Sequence, residues 1–496
     1  MSDPHAEHES LADLLRGAVL PLAVAAVLTA ALLALSTDTG SGPQVGAFGL
    51  RFGAEFVIFG ATLFGIAMRH AQALQIAASG ALATMVFKLL TREEFSVGGH
   101  LSHEWVILVN LFGLLIGFGL LAYHFETSGV PERLPKLLPK GMLGAFSLLA
   151  LVFVMSGFLD NIAAAIIGGS VAATVFKGRV HIGYLAGLVA ASNAGGAGSV
   201  LGDTTTTMMW IEGHSPITVL PAYLGAFVTL LVSGIPSAWL QARYQPIQDV
   251  EVTTSLDKMR IVCVAAILFA VVATNVVQNT VFHHLKLEEH YPMLAIAVWV
   301  AIVLLIPLRQ PDWKLIPSSA KGSLFLVLLV LTASMMPLDQ LPKPSVNTTF
   351  TIGAVSSIFD NIPLTALALK QGGYDWALLA FAVGYGGSMV WFGSSAGVAL
   401  SNRFPQVRST LQWLRHGWHI PVAYIAGFWV MAMVTGWHPD DVEGHHGHED
   451  ESHYESLEDP GHLTQEPKHE VGVSTQPAAH GLDLVAVPVE AHGAGR

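Results

Sequence analysis

Asp160-Asn161-Ile162 and Asp360-Asn361-Ile362 place the same two polar side chains inside apolar runs, residues 142–176 and 350–369. Each pair offers one ionisable carboxylate and one neutral amide beside the carbonyls of a turn. Hard cations take such oxygen ligands, and a carboxylate can exchange a bound cation for a proton. A helix cap or Asx turn is the alternative for a single pair. It does not account for two copies, both deep in sequence where an ionised carboxylate costs about 2.5–3.5 kcal/mol on insertion scales.

A second signal follows each pair. Gly195-Gly196 precedes Gly202-Asp203-Thr204-Thr205-Thr206 by five residues, and Gly386-Gly387 precedes Gly393-Ser394-Ser395 by the same interval. Small residues interleaved with Ser192, Asn193, Ser199 and Asp203 cannot make an ordinary spanning helix. They suit one broken at mid-membrane, where irregular backbone is allowed if it lines a cavity and helix ends present carbonyls or amides. Close helix packing explains the glycines and alanines but not Asp203. The second copy replaces that acid with Ser394, so any paired site is lopsided. The candidate cation- and proton-binding residues are Asp160, Asn161, Asn193, Asp203, Thr204, Thr205, Thr206, Asp360, Asn361, Ser394 and Ser395, with Na⁺ expected at Asp160, Asp203 and Asp360. The six glycines of the two motifs are expected to be structural. Glu55, His124, Glu126, His181, His214 and His283 read as interfacial.

These motifs need a membrane scaffold, and the composition supplies one. The 496 residues are 52% hydrophobic and 12% charged, with a mean hydropathy of +0.54, about half the charge of a soluble chain. Apolar runs predict an all-α polytopic membrane protein with two re-entrant hairpins (142–176 and 350–369) and eleven spans, of which two are broken transmembrane helices (182–211 and 376–400). With the amino terminus in the cytoplasm, 16 of the 24 Lys and Arg residues fall on the cytoplasmic side. That orientation makes the two hairpins open in opposite directions, which predicts inverted-topology repeats. The expected units are a first span in 1–36, a first repeat over 37–240, a cytoplasmic linker at 241–260 and a second repeat over 261–438.

From 439 onward the chain changes character. Thirteen acidic residues face only Lys468 and Arg496, and His445, His446 and His448 cluster among Gly and Pro. Such a segment cannot bury enough apolar surface to fold alone, so a disordered tail over 439–496 is expected, on the outer side. The remaining charge is close to neutral, which favours neither nucleic acid nor an acidic partner. A single cysteine, Cys263, excludes an internal disulfide and a Cys-rich metal site.

In the residues Asp160-Asn161, Ala191 to Ala197, Gly202 to Thr206, Phe359 to Leu364 and Gly384 to Leu400, the chain resembles NhaD-type Na⁺/H⁺ antiporters of the ion transporter superfamily. The resemblance implies a fold of inverted repeats with a scaffold and a mobile transport region, with Na⁺ or Li⁺ bound by the acids and amides of these motifs. It implies no cofactor beyond the transported ions and no enzymatic activity. Small inorganic cations and the bilayer of the inner membrane are the implied partners, and a homodimer is the expected assembly. The chain departs from the pattern after the first Asp-Asn, where Ile162, Ala163, Ala164 and Ala165 stand in place of hydroxyls. Three other readings compete. A Na⁺-coupled citrate or dicarboxylate carrier, or an arsenite exporter, belongs to the same superfamily. An intramembrane aspartyl protease also needs two facing acids, but Val200 stands where its motif requires glycine.

Overall fold

The computed structural model describes residues 11–38, 43–47, 50–248, 254–280 and 290–439. The acidic tail from 440 onward and part of the 241–260 linker lie outside them. In chain order the first half contains α1 (Leu11–Leu35), strands β1–β3 (Thr37–Asp38, Pro43–Ala47, Leu50–Gly53), α2 (Ala54–Met68), α3 (Ala73–Thr91), α4 (Val97–Glu126), the short α5 (Val130–Arg133), α6 (Gly141–Ser156), α7 (Asn161–Val175), α8 (Ile182–Gly196), α9 (Thr204–Ile211), the short α10 (Pro216–Val219) and α11 (Ala222–Tyr244). The second contains α12 (Lys258–Thr280), α13 (Met293–Leu305), α14 (Ile316–Ser334), α15 (Val346–Val355), α16 (Asn361–Gln371), α17 (Trp376–Gly386), α18 (Ser395–Arg403), α19 (Thr410–His416) and α20 (His419–Thr435).

Six of the described helical segments are long and apolar enough to cross a membrane, and α19 with α20, bent by 60°, makes a seventh. The chain is a multi-pass helical membrane protein. One feature departs from the all-α expectation. β1, β2 and β3 form a small antiparallel sheet in that order, with Gln44 opposite Gly53 and Thr37 opposite Gln44. Three strands of two to five residues fall below what an apolar-run reading resolves.

Two helices organise the interior. Every residue of α8 and every residue of α17 is buried. A helix that is apolar or small on all faces belongs in the middle of a bundle. In a bilayer its packing rests on van der Waals contact between small residues rather than on expulsion of water. Accordingly Gly187 of α8 lies against Ser237 of α11, and Gly427 of α20 lies against Thr229 of α11 and Phe381 of α17. Buried hydroxyls are tied to backbone carbonyls: Tyr184 donates to Ala145 O at 2.8 Å, Tyr424 to Phe350 O at 2.7 Å, and Ser356 to Val383 O at 2.8 Å. These bonds fix α8 to α6 and fix α15 to α17 and α20.

Away from that centre, several residues expected at the interface are interior. Glu55 is fully buried and pairs with Arg92 at 3.4 Å. His124 is 2% exposed and its Nδ1 accepts from Arg260 at 3.2 Å. In both cases a basic side chain from another helix reaches in to meet the buried group, which hydropathy along one segment does not register. His181 instead caps α8, accepting from the Gly183 amide at 3.1 Å. His283 lies outside the described residues.

Candidate functional site

The two halves build the same local unit. α6 ends at Ser156, a short turn follows, and α7 starts immediately after Asp160; α15 ends at Val355 and α16 starts immediately after Asp360. Asp160 has φ −50° and ψ 140°, and Asp360 has φ −53° and ψ 144°. The helix breaks match as well: α8 stops at Gly196 and α9 restarts after Asp203, while α17 stops at Gly386 and α18 restarts after Ser394. Asp203 has φ −141° and ψ 139°, and Ser394 has φ −140° and ψ 149°. All four residues occupy N-cap positions, the non-helical conformation from which a chain enters a helix.

Glycine permits the breaks to fold this tightly. Gly195 faces the carbonyl of Phe153, seven residues before Asp160, and Gly386 faces the carbonyl of Gly353, seven before Asp360. A side chain at either position would occupy the space of that backbone. Across each break, a Cβ on Gly196 would stand 2.6 Å from Gly202 O, and one on Gly387 would stand 2.7 Å from Gly393 O.

Asp203 is the meeting point of the site and is 2% exposed. Its Oδ1 accepts from Asn161 Nδ2 at 3.2 Å and from Asn361 Nδ2 at 3.4 Å, one amide from each half. Its Oδ2 accepts a short bond from the Thr205 hydroxyl. Asn161 also donates to Asn193 Oδ1 at 3.2 Å, and Asn193 donates to Ser388 Oγ at 2.9 Å. Where the first half has Asn193, the second has Gly384, and a Cβ there would stand 3.2 Å from Asp203 Oδ2. The missing side chain makes room for the acid contributed by the other half.

The carboxylates are used differently. Asp160 and Asp203 form no side-chain capping bond to their own helices. Asp360 accepts from the Ile362 amide at 3.4 Å and from Ser395 Oγ at 2.9 Å, and Ser394 caps α18 through the Gly397 amide at 3.4 Å. In the second half Asp360 and Ser394 thus cap their own helices, whereas Asp203 takes the Thr205 hydroxyl and one amide from each half. Asp360 is linked to Asp203 through the neighbouring Asn361 rather than directly. Among the described residues no three His, Cys, Asp or Glu side chains group closely enough to hold a metal ion by themselves.

The hydroxyls divide in the same way. Thr205 faces the acid, and Thr204 lines a cavity beside it. Thr206 donates to the carbonyls of Ser199 and Asp203, and Thr207 to those of Val200 and Asp203, so this pair closes the break. Two partners escaped the sequence reading. Ser192 bonds the Asn161 carbonyl, and Ser388 holds Asn193. Ser192 carries the spacing of a site residue next to Asn193, but Ser388 carried no signal beyond following the second glycine pair.

A cavity of about 320 Å³ adjoins these groups. Asp160, Asp203, Thr204 and Ser395 line one wall, and small residues of α4 and α14, among them Gly119, Ser319 and Gly322, line the other. Its described lining includes three carboxylates, those of Asp160, Asp203 and Glu126, and no Lys or Arg. Elsewhere, Lys370 at the end of α16 is enclosed by Glu104 Oε2 at 3.0 Å and Glu212 Oε1 at 3.5 Å, tying α16 to α4 and to the end of α9.

No protein-family profile matches the chain. It is 28% identical over 328 residues to sodium/proton antiporter 1 of Arabidopsis thaliana, a match covering 59% of this chain and 56% of that protein. It is 25% identical over 311 residues to sodium/proton antiporter 2 of the same plant, covering 56% and 72%. It is 25% identical over 299 residues to the Na(+)/H(+) antiporter NhaD of Vibrio parahaemolyticus, covering 50% and 71%. The match thus spans little more than half the length of the first of these relatives. The resemblance to NhaD-type antiporters read from the motifs is borne out.

Proposed function

We propose that the chain is a secondary antiporter that exchanges Na⁺ or Li⁺ for H⁺ across the inner membrane by alternating access. The observation that carries this reading is the cavity beside Asp203. Asp160 and Asp203 line it with no Lys or Arg among the described lining residues, and the buried acid draws an amide from each half of the chain. A desolvated carboxylate favours a counter-cation or a proton and cannot hold both on the same oxygen. Each displacement of one by the other is then an exchange step. The amides of Asn161 and Asn361 donate to the carboxylate, and rotation of either amide would present its carbonyl oxygen to an arriving cation instead.

The matched backbone conformations at Asp160 and Asp360, and at Asp203 and Ser394, support reading the halves as inverted repeats. On this reading α6–α7 and α15–α16 are the re-entrant hairpins, and α8–α9 and α17–α18 are the broken transmembrane helices. The names of the relatives support the same ion pair. A citrate or dicarboxylate carrier fits less well, because an anion entering this cavity would meet carboxylates and no compensating base.

Na⁺- and Li⁺-dependent proton flux in everted membrane vesicles tests the proposal. Asp160→Ala, Asp203→Ala and Asp360→Ala are each expected to abolish exchange while the protein still inserts. Wild-type flux in all three, or uptake of labelled citrate by the unmodified protein without Na⁺/H⁺ exchange, would overturn it.

A further inference from the structure

Glu126 is the third carboxylate of the cavity, and it bonds to none of the groups that hold Asp203. It is the last residue of α4. The α4 residues facing the cavity are Leu115, Phe118, Gly119, Ala122 and Glu126, which recur at three- and four-residue intervals along one helical face. At 1.5 Å per residue this stripe runs about 16 Å, from mid-helix to the helix end. There the next residue, Thr127, is exposed. Glu126 therefore stands at the outer end of the cavity, with Asp160 and Asp203 on its other wall.

Two further observations bear on its role. Glu126 forms no hydrogen bond or ion pair with another described residue, unlike the buried acids Glu55 and Glu104, which are answered by Arg92 and Lys370. The neighbouring helix α14 lines the same wall with Ser319, Gly322, Ser323, Phe325 and Leu326, and Gly119 lies against Ser319. α4 and α14 pack closely at Gly119 and Ser319 and together form the wall across from Asp160 and Asp203, with Glu126 in that wall. A structural acid at a helix C-terminus would be misplaced, because the helix dipole there disfavours negative charge.

We infer that Glu126 is the cation-collecting residue of this cavity: it draws small monovalent cations from the end of α4 toward Asp160 and Asp203. This rests on the antiport reading of the site and adds to it the side from which the cation enters. Clefts lined by one sign of charge concentrate counter-ions, and that action lowers the apparent KM without touching the exchange step.

The test is Na⁺-dependent proton flux of the full-length protein in everted vesicles, fitted for KM and Vmax. Glu126→Gln is expected to raise the KM for Na⁺ by about three- to tenfold with Vmax unchanged, and added choline chloride should narrow the difference. Glu126→Asp should restore a KM near that of the wild type, and Glu93→Gln, an exposed acid before the start of α4 and outside the cavity, should have no effect. Ser319→Lys sets an ammonium beside Glu126's helix in the same cavity and should raise KM in the same direction, which covers the case of a poorly inserted E126Q. An unchanged KM in both E126Q and S319K, a loss confined to Vmax, or an E126D as impaired as E126Q would overturn the assignment and leave the antiport reading standing. Absence of Na⁺- or Li⁺-dependent flux in the unmodified protein would overturn both.

Discussion

Asp203→Asn separates a residue that holds the fold together from one that holds a cation. The carboxylate accepts three hydrogen bonds, from Asn161, Asn361 and Thr205. Asparagine has the same shape and can keep all three: its carbonyl takes the two amides, and its NH₂ donates to a rotated Thr205 hydroxyl. Bonds to a charged group contribute about 1.5–3 kcal/mol and neutral ones about 0.5–1.5 kcal/mol, so the exchange of three loses roughly 3–4 kcal/mol. Against this, removing a buried charge without an ionic partner recovers several kcal/mol of desolvation. The two nearly cancel, and the empty variant is expected within about 2 kcal/mol of the wild type. The contribution of a bound cation does not cancel. A ligand at about 100 times its Kd stabilises the folded state by about 2.7 kcal/mol, and that increment depends on the charge the substitution removes. The assay is thermal unfolding of the purified protein in detergent, in NaCl and in choline chloride of equal ionic strength. The wild-type transition should rise in Na⁺, while D203N should unfold within a few degrees of the wild type in choline and show no Na⁺ shift. A full Na⁺ shift in D203N refutes the ligand role. Collapse of its transition in choline would make Asp203 a structural group instead.

Three further outcomes are expected. Lys370→Met leaves Glu104 buried beside an apolar side chain and should cost about 3–5 kcal/mol, read as a lowered unfolding temperature; Glu104→Gln in the same chain should recover part of it. Gly196→Ala would set a Cβ 2.6 Å from Gly202 O and 3.0 Å from Asp203 Cβ. The strained break should destabilise by about 1–3 kcal/mol and reduce Na⁺-dependent flux well beyond any fall in membrane content. Asp257 accepts from Arg309 Nε at 2.7 Å and from the first-turn amides of α12, and the guanidinium holds its carboxyl below the ordinary 3.8. A depressed carboxylate contributes stability that is fully present above pH 3.8 and is lost as pH falls through the lowered value. Asp257→Asn should therefore shrink the acid-induced drop in unfolding temperature measured below that pH.

The parts of the site that were legible in sequence are those written in local order. Asp-Asn followed by a helix, and two glycines followed five residues later by a third, specify where a chain can turn and restart. α7, α9, α16 and α18 begin directly after Asp160, Asp203, Asp360 and Ser394. What sequence could not supply was pairing across the bundle. Ser388 reaches Asn193 over 195 positions, and Lys370 reaches Glu104 from a different helix. Thr204, Thr205 and Thr206 are chemically alike in the sequence, yet only the direction of each side chain at the start of α9 decides which meets the acid and which closes the break. Glu126 reads as interfacial from its place at the end of an apolar run. Its neighbours along the helical face, Gly119 and Ala122, acquire meaning only when α14 is seen to pack beside them along the same cavity.

The two amides on Asp203 Oδ1 have a mechanical consequence. Asn161 and Asn361 belong to opposite halves, so this single oxygen cross-links them. Under the proposed antiport, a cation that takes this oxygen competes with those amides, so binding would loosen the joint between the halves and release would tighten it. The same contact would then act as an interlock against slippage, the wasteful cycle in which a carrier returns without its counter-ion and dissipates the gradient that drives it.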